Sequence, residues 1–218
     1  MSHESRPMVI VLEGLDGTGK TTVGTALAAH FHTPLGLQHP FYHTAVGRAA
    51  YPLMQQAKNP NTRHLLAAAA HCELWQTVIF PAYRRGETVI VDRGMLSYMV
   101  YEGQDKDSFY HAVGAHGIYG LAQNVLHLIL DAPLSVIQDR LDKRADSDVF
   151  DIDHASRAEK LCWEYRQVYK NSRTYSGSPR TPDSHTYIRL LDAQGTVDAV
   201  VERCLNAVSG WQIERGAI

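Results

Sequence analysis

Residues 14–21, Gly14-Leu15-Asp16-Gly17-Thr18-Gly19-Lys20-Thr21, follow the pattern G-x-x-x-x-G-K-[ST]. The run before them, Met8-Val9-Ile10-Val11-Leu12, is continuously apolar, as in a strand buried on both faces. The Ala- and Leu-rich stretch 20–31 reads as a helix. A glycine-rich turn between a buried strand and a helix is the setting in which this pattern carries a mechanism. The glycines let several backbone N–H groups converge on one anion. The helix N-terminus adds its dipole at the same point. Lys20 supplies a mobile positive charge for the β- and γ-phosphates, and the Thr21 hydroxyl is a ligand for Mg²⁺. Gly14, Asp16, Gly17, Thr18, Gly19, Lys20, Thr21 and Thr22 are therefore the candidate nucleotide-binding set. The motif calls for a nucleoside triphosphate, ATP or a relative, with Mg²⁺. It is silent on the fate of the γ-phosphate.

The rest of the chain alternates strand and helix signals. Strands are expected over 35–39, 88–92, 125–131 and 186–191. Helices are expected over 44–58 with Pro52 as an obstacle, 62–85 capped by Asn61 or Thr62, 134–144, 154–175 and 197–208, and in part over 105–121. Residues 59–61 read as a turn, and 145–153 as a polar loop. This order, with the glycine motif, predicts a single α/β domain over 1–218, a three-layer α/β/α P-loop fold with a parallel sheet of about five strands and a short lid near 144–153. Ligands in such folds bind at the C-terminal ends of the strands, here after Leu12, His39, Asp92, Asp131 and Leu191.

Composition narrows the partners. Lys and Arg total 21 against 23 Asp and Glu, a formal net charge of −2, which disfavours a dedicated nucleic-acid binder. The three cysteines are widely spaced, which argues against a disulfide framework or a cysteine zinc site. No stretch approaches the ~18 apolar residues of a membrane helix, and 8–12 is too short for a signal-peptide core. A cytoplasmic protein with no membrane partner is expected.

Two further features carry chemistry. Asp92 ends a buried strand and can reach Mg²⁺ or take a proton from an acceptor; Arg93 follows it and can grip a phosphate through two parallel hydrogen bonds. Arg140 and Arg144 share a helix face with Lys143 nearby, and the acidic loop behind them could close and bring an arginine to the transferring group.

From these residues the chain resembles the thymidylate kinase family of nucleoside monophosphate kinases. The opening Val9-Ile10-Val11-Leu12-Glu13-Gly14-Leu15-Asp16-Gly17-Thr18-Gly19-Lys20-Thr21-Thr22 is very close to the family's, and Asp92-Arg93 with Ser97 and Tyr101 is similar to its second signature. Residues 125–144 and Leu190-Leu191-Asp192-Ala193 resemble its fourth strand with the helix to the lid, and its final strand. The resemblance implies transfer of the γ-phosphoryl of ATP, with Mg²⁺, to a deoxynucleoside 5′-monophosphate. It also implies a homodimer. Asp16 would hold the acceptor's sugar, Arg93 its phosphate, and Tyr101 would sit against C2′; Pro40 and Tyr42 would line the acceptor site. Thr18 stands where some relatives carry a P-loop Arg, so Arg140 and Arg144 become the candidates for the transferring group.

The base side departs from the family pattern. Ala67 and His71 fall where a thymine-stacking Phe and a base-contacting Arg are usual; Gly94 replaces an aromatic, and Tyr98 a smaller residue that meets the base. The lid run Asp148-Val149-Phe150-Asp151 lacks its Arg. Losing the Phe is expected to enlarge the pocket, and a neutral His cannot reproduce an Arg fork. A different or modified base, a larger one included, is thus expected at least as much as thymine. Two other readings stay open: a P-loop kinase acting on a hydroxyl of a nucleoside or of a modified base in DNA, with Asp92 or Glu13 as base, and a regulatory P-loop NTPase. Trp75, Trp163 and Tyr165 read as packing residues.

Overall fold

A computed structural model describes residues 7–102, 124–143, 149–175 and 187–214. Strand β1 (Val9–Glu13) runs into the glycine loop and then α1 (Lys20–His30). There follow β2 (Leu37–Gln38), α2 (Ala45–Gln56), α3 (Pro60–Leu74), a π-helical turn (Trp75–Ile79), α4 (Phe80–Arg84), β3 (Val89–Asp92) and α5 (Met95–Glu102). The remaining elements are β4 (Val125–Asp131), α6 (Leu134–Asp142), α7 (Val149–Tyr175), β5 (Tyr187–Asp192) and α8 (Val197–Glu214). All pairings are parallel, in the order β2-β3-β1-β4-β5.

Alternation along the central strands assigns each residue to a face. Ile10, Leu12 and Ile90 pack with Val23 and Leu27 of α1 and with Cys204, Val208 and Trp211 of α8. Val9, Val11, Val89 and Val91 pack instead with Leu74, Trp75, Ile79 and Phe80. The expected three-layer α/β/α architecture with a five-stranded parallel sheet is what forms.

Several expected boundaries move. The helix expected from 62 starts at Pro60, with Asn59 as its cap: the Asn59 side chain accepts from the Asn61 N–H, and Pro60 sits where its missing N–H costs nothing. Residues 59–61 are therefore a helix start and not a separate turn. The expected continuous helix to 85 is interrupted by the π turn, in which the Phe80 N–H reaches back to the Trp75 carbonyl; the widened turn directly precedes Pro81, which has no N–H to give. Pro52 does not split α2, which runs through it from the Thr44 cap to Gln56. β2 shrinks to two residues, and α8 extends six residues past 208, to Glu214. Residues 149–153, expected as loop, begin α7. α5 was not expected at all, whereas the partial helix over 105–121 lies outside the described residues.

Candidate active site

The C-terminal ends of β1, β3 and β5 meet on one edge of the sheet, and the site is built there. Gly14, Gly17 and Gly19 all adopt positive φ, the left-handed conformations that fold the backbone amides inward. A Cβ on Gly14 would stand 2.4 Å from the Leu130 carbonyl oxygen, and one on Gly17 would stand 2.9 Å from that of Ile137, so β4 and α6 press directly on the loop. The buried Thr18 hydroxyl closes the loop on the Leu15 carbonyl at 2.8 Å. Lys20 donates to the same carbonyl at 2.9 Å and lies 3.8 Å from Asp16. The Thr21 hydroxyl donates to Asp92 Oδ2 at 2.6 Å, while Thr22 is exposed one residue on.

Asp92 Oδ1 is buried and makes no hydrogen bond among the described residues. A carboxylate oxygen left open beside a threonine hydroxyl is a hard-oxygen set that suits Mg²⁺, which takes one or two carboxylates and fills its other positions with phosphates and water. The inward-folded loop and the adjacent ammonium suit a triphosphate, so the residues present fit MgATP.

Arg93 takes φ +70, unusual for a residue with a side chain. That conformation at the end of β3 turns its guanidinium onto Asp16, with which it pairs, and over the Tyr101 ring at 4.8 Å. The Tyr101 hydroxyl donates to Asp16 Oδ2 at 3.4 Å. Burial opposes the charge on Arg93, but the Asp16 carboxylate, with Asp92 and the tyrosines behind it, more than compensates and holds it protonated. Asp16 thus touches both the P-loop lysine and Arg93.

Burial pushes the Lys20 ammonium down to about 8, and the Arg93 charge adds to the shift. A positive charge is required at Lys20, so kcat/KM for ATP is expected to fall as pH rises through about 8. In kcat the fall should come at higher pH, because bound triphosphate favours the ammonium. The unfolded chain keeps this proton to about 10.5, so between the two values the unfolded state binds more protons. Stability from this group therefore rises with pH in that window. Rate profiles and thermal unfolding from pH 6 to 10 check both signs: alkaline inactivation tracking a falling Tm would contradict this.

Arg140, expected near the transferring group, donates instead to three backbone carbonyls: Ala193 at 2.8 Å, Thr18 at 3.2 Å and Gly17 at 3.5 Å. Its guanidinium braces the P-loop against the loop after β5. Arg144 lies outside the described residues, as does the 144–148 part of the lid.

After β2, α2 comes so close to Pro40 that a Cβ on Gly47 would stand 2.0 Å from the Pro40 carbonyl oxygen. This fixes the turn carrying Pro40, which is buried, and Tyr42, which is half exposed and stacked on His39 at 4.3 Å. Burial, and then the charge of Arg93, keeps His39 neutral. Ala67, Met54 and Tyr98 form one buried cluster with Phe41 and Leu66. Tyr98, from α5, and Ala67 are both almost fully buried in this cluster. His71 is buried with its ring 6.0 Å from both Phe41 and Tyr98, and the Tyr98 hydroxyl bonds His64. Ala67, His71 and Tyr98 are thus brought together, as expected, with His64 and Phe41 as members that the sequence did not single out. Gly94 has no room for the usual aromatic: its Cβ would stand 2.6 Å from Val11 Cγ1 and 3.0 Å from Glu13 Oε1.

A family model described as thymidylate kinase matches residues 12–176 of this chain. The chain belongs to the thymidylate kinase family. The Bordetella pertussis thymidylate kinase is 28% identical over 200 residues, covering 87% of this chain and 92% of its own length. That of Neisseria meningitidis serogroup A is 27% identical over 209 residues, covering 91% and 98%. The fold is similar to solved thymidylate kinases from Candida albicans (TM-score 0.68, 21% identity, 94% and 92% coverage) and Ehrlichia chaffeensis (TM-score 0.62, 17% identity, 93% and 99% coverage).

As a thymidylate kinase family member, the chain is an ATP-dependent kinase of a nucleoside monophosphate, with Mg²⁺ as cofactor. The hydroxyl-acceptor and regulatory readings give way to this one. Glu13 is also unfit as the base the hydroxyl reading wanted, because its carboxylate is fully buried and already accepts four hydrogen bonds. Among the described residues no helix is long and apolar enough to cross a membrane. Trp75 and Tyr165 are buried as expected, but Trp163 is 58% exposed.

Proposed function

We propose that the acceptor is a deoxynucleoside 5′-monophosphate whose base is not thymine as relatives' names would have it, but a different or modified one. The observation that carries this reading is the base-side cluster: Tyr98 shares one buried cluster with Ala67, and the rings of His71 and His64 border it, in place of a Phe and Arg pair on one helix. These side chains offer single donors and acceptors around an aromatic wall. In this reading Arg93 grips the acceptor phosphate, Asp16 the sugar, Tyr101 excludes a 2′-hydroxyl, and Pro40 and Tyr42 line the entrance.

When bound, Mg²⁺ would draw charge from the β- and γ-phosphates, with Thr21 and Asp92 holding it. The chain's own residues position the reactants. Lys20 and the loop amides hold the donor, Arg93 aligns the acceptor phosphate, and Arg140 keeps the loop in register. A monophosphate oxygen is already a competent nucleophile, so orientation and electrostatics supply most of the rate. Arg144 is assigned to the transferring group as the remaining lid arginine. We further propose a homodimer, supported by the exposed Leu53 and Leu65 on adjacent helices α2 and α3. Sedimentation velocity tests that. The free cysteines Cys72, Cys162 and Cys204 support a cytoplasmic setting, and the acidic balance supports the absence of a nucleic-acid partner.

The test is ADP release with MgATP against all deoxy- and ribonucleoside monophosphates, 5-substituted deoxyuridylates, free nucleosides and single-stranded DNA. Turnover is expected with one or a few deoxynucleotides other than thymidylate; thymidylate as the best substrate would overturn the altered-base reading. The same panel tests the pocket. Ala67→Phe with His71→Arg adds volume to the buried cluster that holds Tyr98, and overpacking of this kind costs ~1–3 kcal/mol. Adding Tyr98→Ala to the pair is expected to raise kcat/KM for thymidylate roughly tenfold over the native chain, a change of about 1.4 kcal/mol.

A further inference from the structure

A buried carboxylate in the central strand has no part in the chemistry described so far. Glu13 is wholly buried at the end of β1, where an apolar side chain would avoid the desolvation cost. An ionised carboxylate offers about four lone-pair positions, and here all are used. Oε1 accepts from the Leu96 N–H at 3.2 Å and faces His127 Nδ1 at 3.3 Å. Oε2 accepts from the Ser97 N–H at 2.9 Å and from the Ser97 hydroxyl at 2.5 Å. Burial alone would push the Glu13 carboxyl up, yet the bonds from His127 and Ser97 outweigh it and hold the group ionised.

The Ser97 hydroxyl is equally saturated. A hydroxyl has one proton to give and two positions at which to accept. A carboxylate can only accept, so the proton goes to Glu13. The oxygen is then left to accept from Arg93 Nη1 at 3.4 Å and from the Tyr165 hydroxyl at 2.9 Å. Glu13 thus decides which way Ser97 faces, and Ser97 presents an acceptor to the guanidinium. Asp16 holds that guanidinium at its other amino group.

We propose that Glu13 is a positioning residue for acceptor binding, acting through the Ser97 hydroxyl to set the direction of the Arg93 guanidinium. This rests on Arg93 gripping the acceptor phosphate, as proposed above. The carboxylate also pins the first turn of α5 to β1, the strand that leads into the P-loop, so the acceptor arm and the donor loop are referenced to one buried anion.

The test compares Ser97→Ala, Tyr165→Phe, Glu13→Gln and Arg93→Ala in steady-state kinetics with both substrates varied, alongside thermal unfolding. Ser97→Ala is expected to raise KM for the monophosphate acceptor about tenfold, as for a lost hydrogen bond to a charged group, with KM for ATP within about twofold of native. Glu13→Gln should raise acceptor KM at least as much and also lower Tm. Tyr165→Phe removes a buried hydroxyl from the same oxygen but leaves Arg93, Ser97 and Glu13 connected; its acceptor KM should stay within about twofold of native, although its Tm falls. A merely structural role would make Ser97→Ala and Tyr165→Phe behave alike, and that result overturns the proposal. So does an unchanged acceptor KM in Ser97→Ala beside a raised one in Arg93→Ala. An unchanged acceptor KM in Arg93→Ala instead overturns the phosphate-gripping reading itself. Ser97→Ala and Tyr165→Phe decide the matter even where Glu13→Gln does not fold.

Discussion

Lys20→Met is expected to lower kcat on the order of 10³-fold, as the loss of a preorganised charge at a transferring phosphoryl group does. The side chain is nearly buried and already extended along the loop, with Nζ on the Leu15 carbonyl at 2.9 Å. It reaches the phosphates by exchanging a local carbonyl for them, with no large rearrangement. Met preserves most of the stem's volume and removes only the charge, so folding should survive. The neighbouring Asp16 keeps Arg93 as a counter-charge. Acceptor affinity measured calorimetrically without ATP should therefore stay within about threefold of native, a difference well under 1 kcal/mol. Lys20→Arg should not rescue the rate, because a planar fork replaces a point charge in a site with no spare room. A kcat within tenfold of native in Lys20→Met would remove Lys20 from the catalytic set.

Gly14→Ala should cost about 4 kcal/mol of stability, from strain in an unfavourable backbone region and from overpacking together. The residue sits at φ +130, and the new methyl would meet the Leu130 carbonyl oxygen at 2.4 Å. That oxygen belongs to β4, which is hydrogen-bonded to β1, so relief requires separating two central strands. For a chain of this size the loss corresponds to a Tm lower by roughly 10 °C. Gly19→Ala is the control. Gly19 also has positive φ, +95, but nothing lies within 4 Å of its added methyl. It should lose about 1 kcal/mol from backbone strain alone. Differential scanning calorimetry separates the two; equal losses would mean that contact with β4 contributes nothing.

The parts legible in the sequence were those whose signals are local. The apolar run 8–12, the glycine pattern and the strand ending in Asp92 each announce themselves within a few residues, and they define the sheet and the donor side. α5 escaped notice because its cap is not local. The carboxylate that satisfies its first amides comes from Glu13, 83 residues before Leu96. His127 was the available signal: a polar residue inside the apolar strand Val125–Asp131 needs a partner, and its register opposite Val11 puts it on the face that Glu13 also occupies. The base side was half legible. Ala67, His71 and Tyr98 stood out by their departure from the family pattern, but the helix α5 that brings Tyr98 into one buried cluster with Ala67 did not. Arg140 misled for a similar reason: a basic residue near a helix end reads as solvent-facing or catalytic, and only the arrival of β5 supplies the Ala193 carbonyl it holds.

The sheet order also governs when, on a growing chain, the enzyme comes into being. The P-loop is made before both neighbours of β1 in the sheet, because β1 lies between β3 and β4, which come much later in the chain. Loop-closure entropy must be overcome before any of these pairings forms, so assembly is dominated by non-local contacts and is slow relative to local helix formation. An N-terminal fragment ending before residue 125 would leave one side of β1 as an unpaired edge, without the Leu130 carbonyl that packs on Gly14 or the histidine that faces Glu13. Such a nascent chain carries the whole nucleotide motif and is expected to bind nucleotide poorly, so ATP should act as a folding ligand only once β4 is in place.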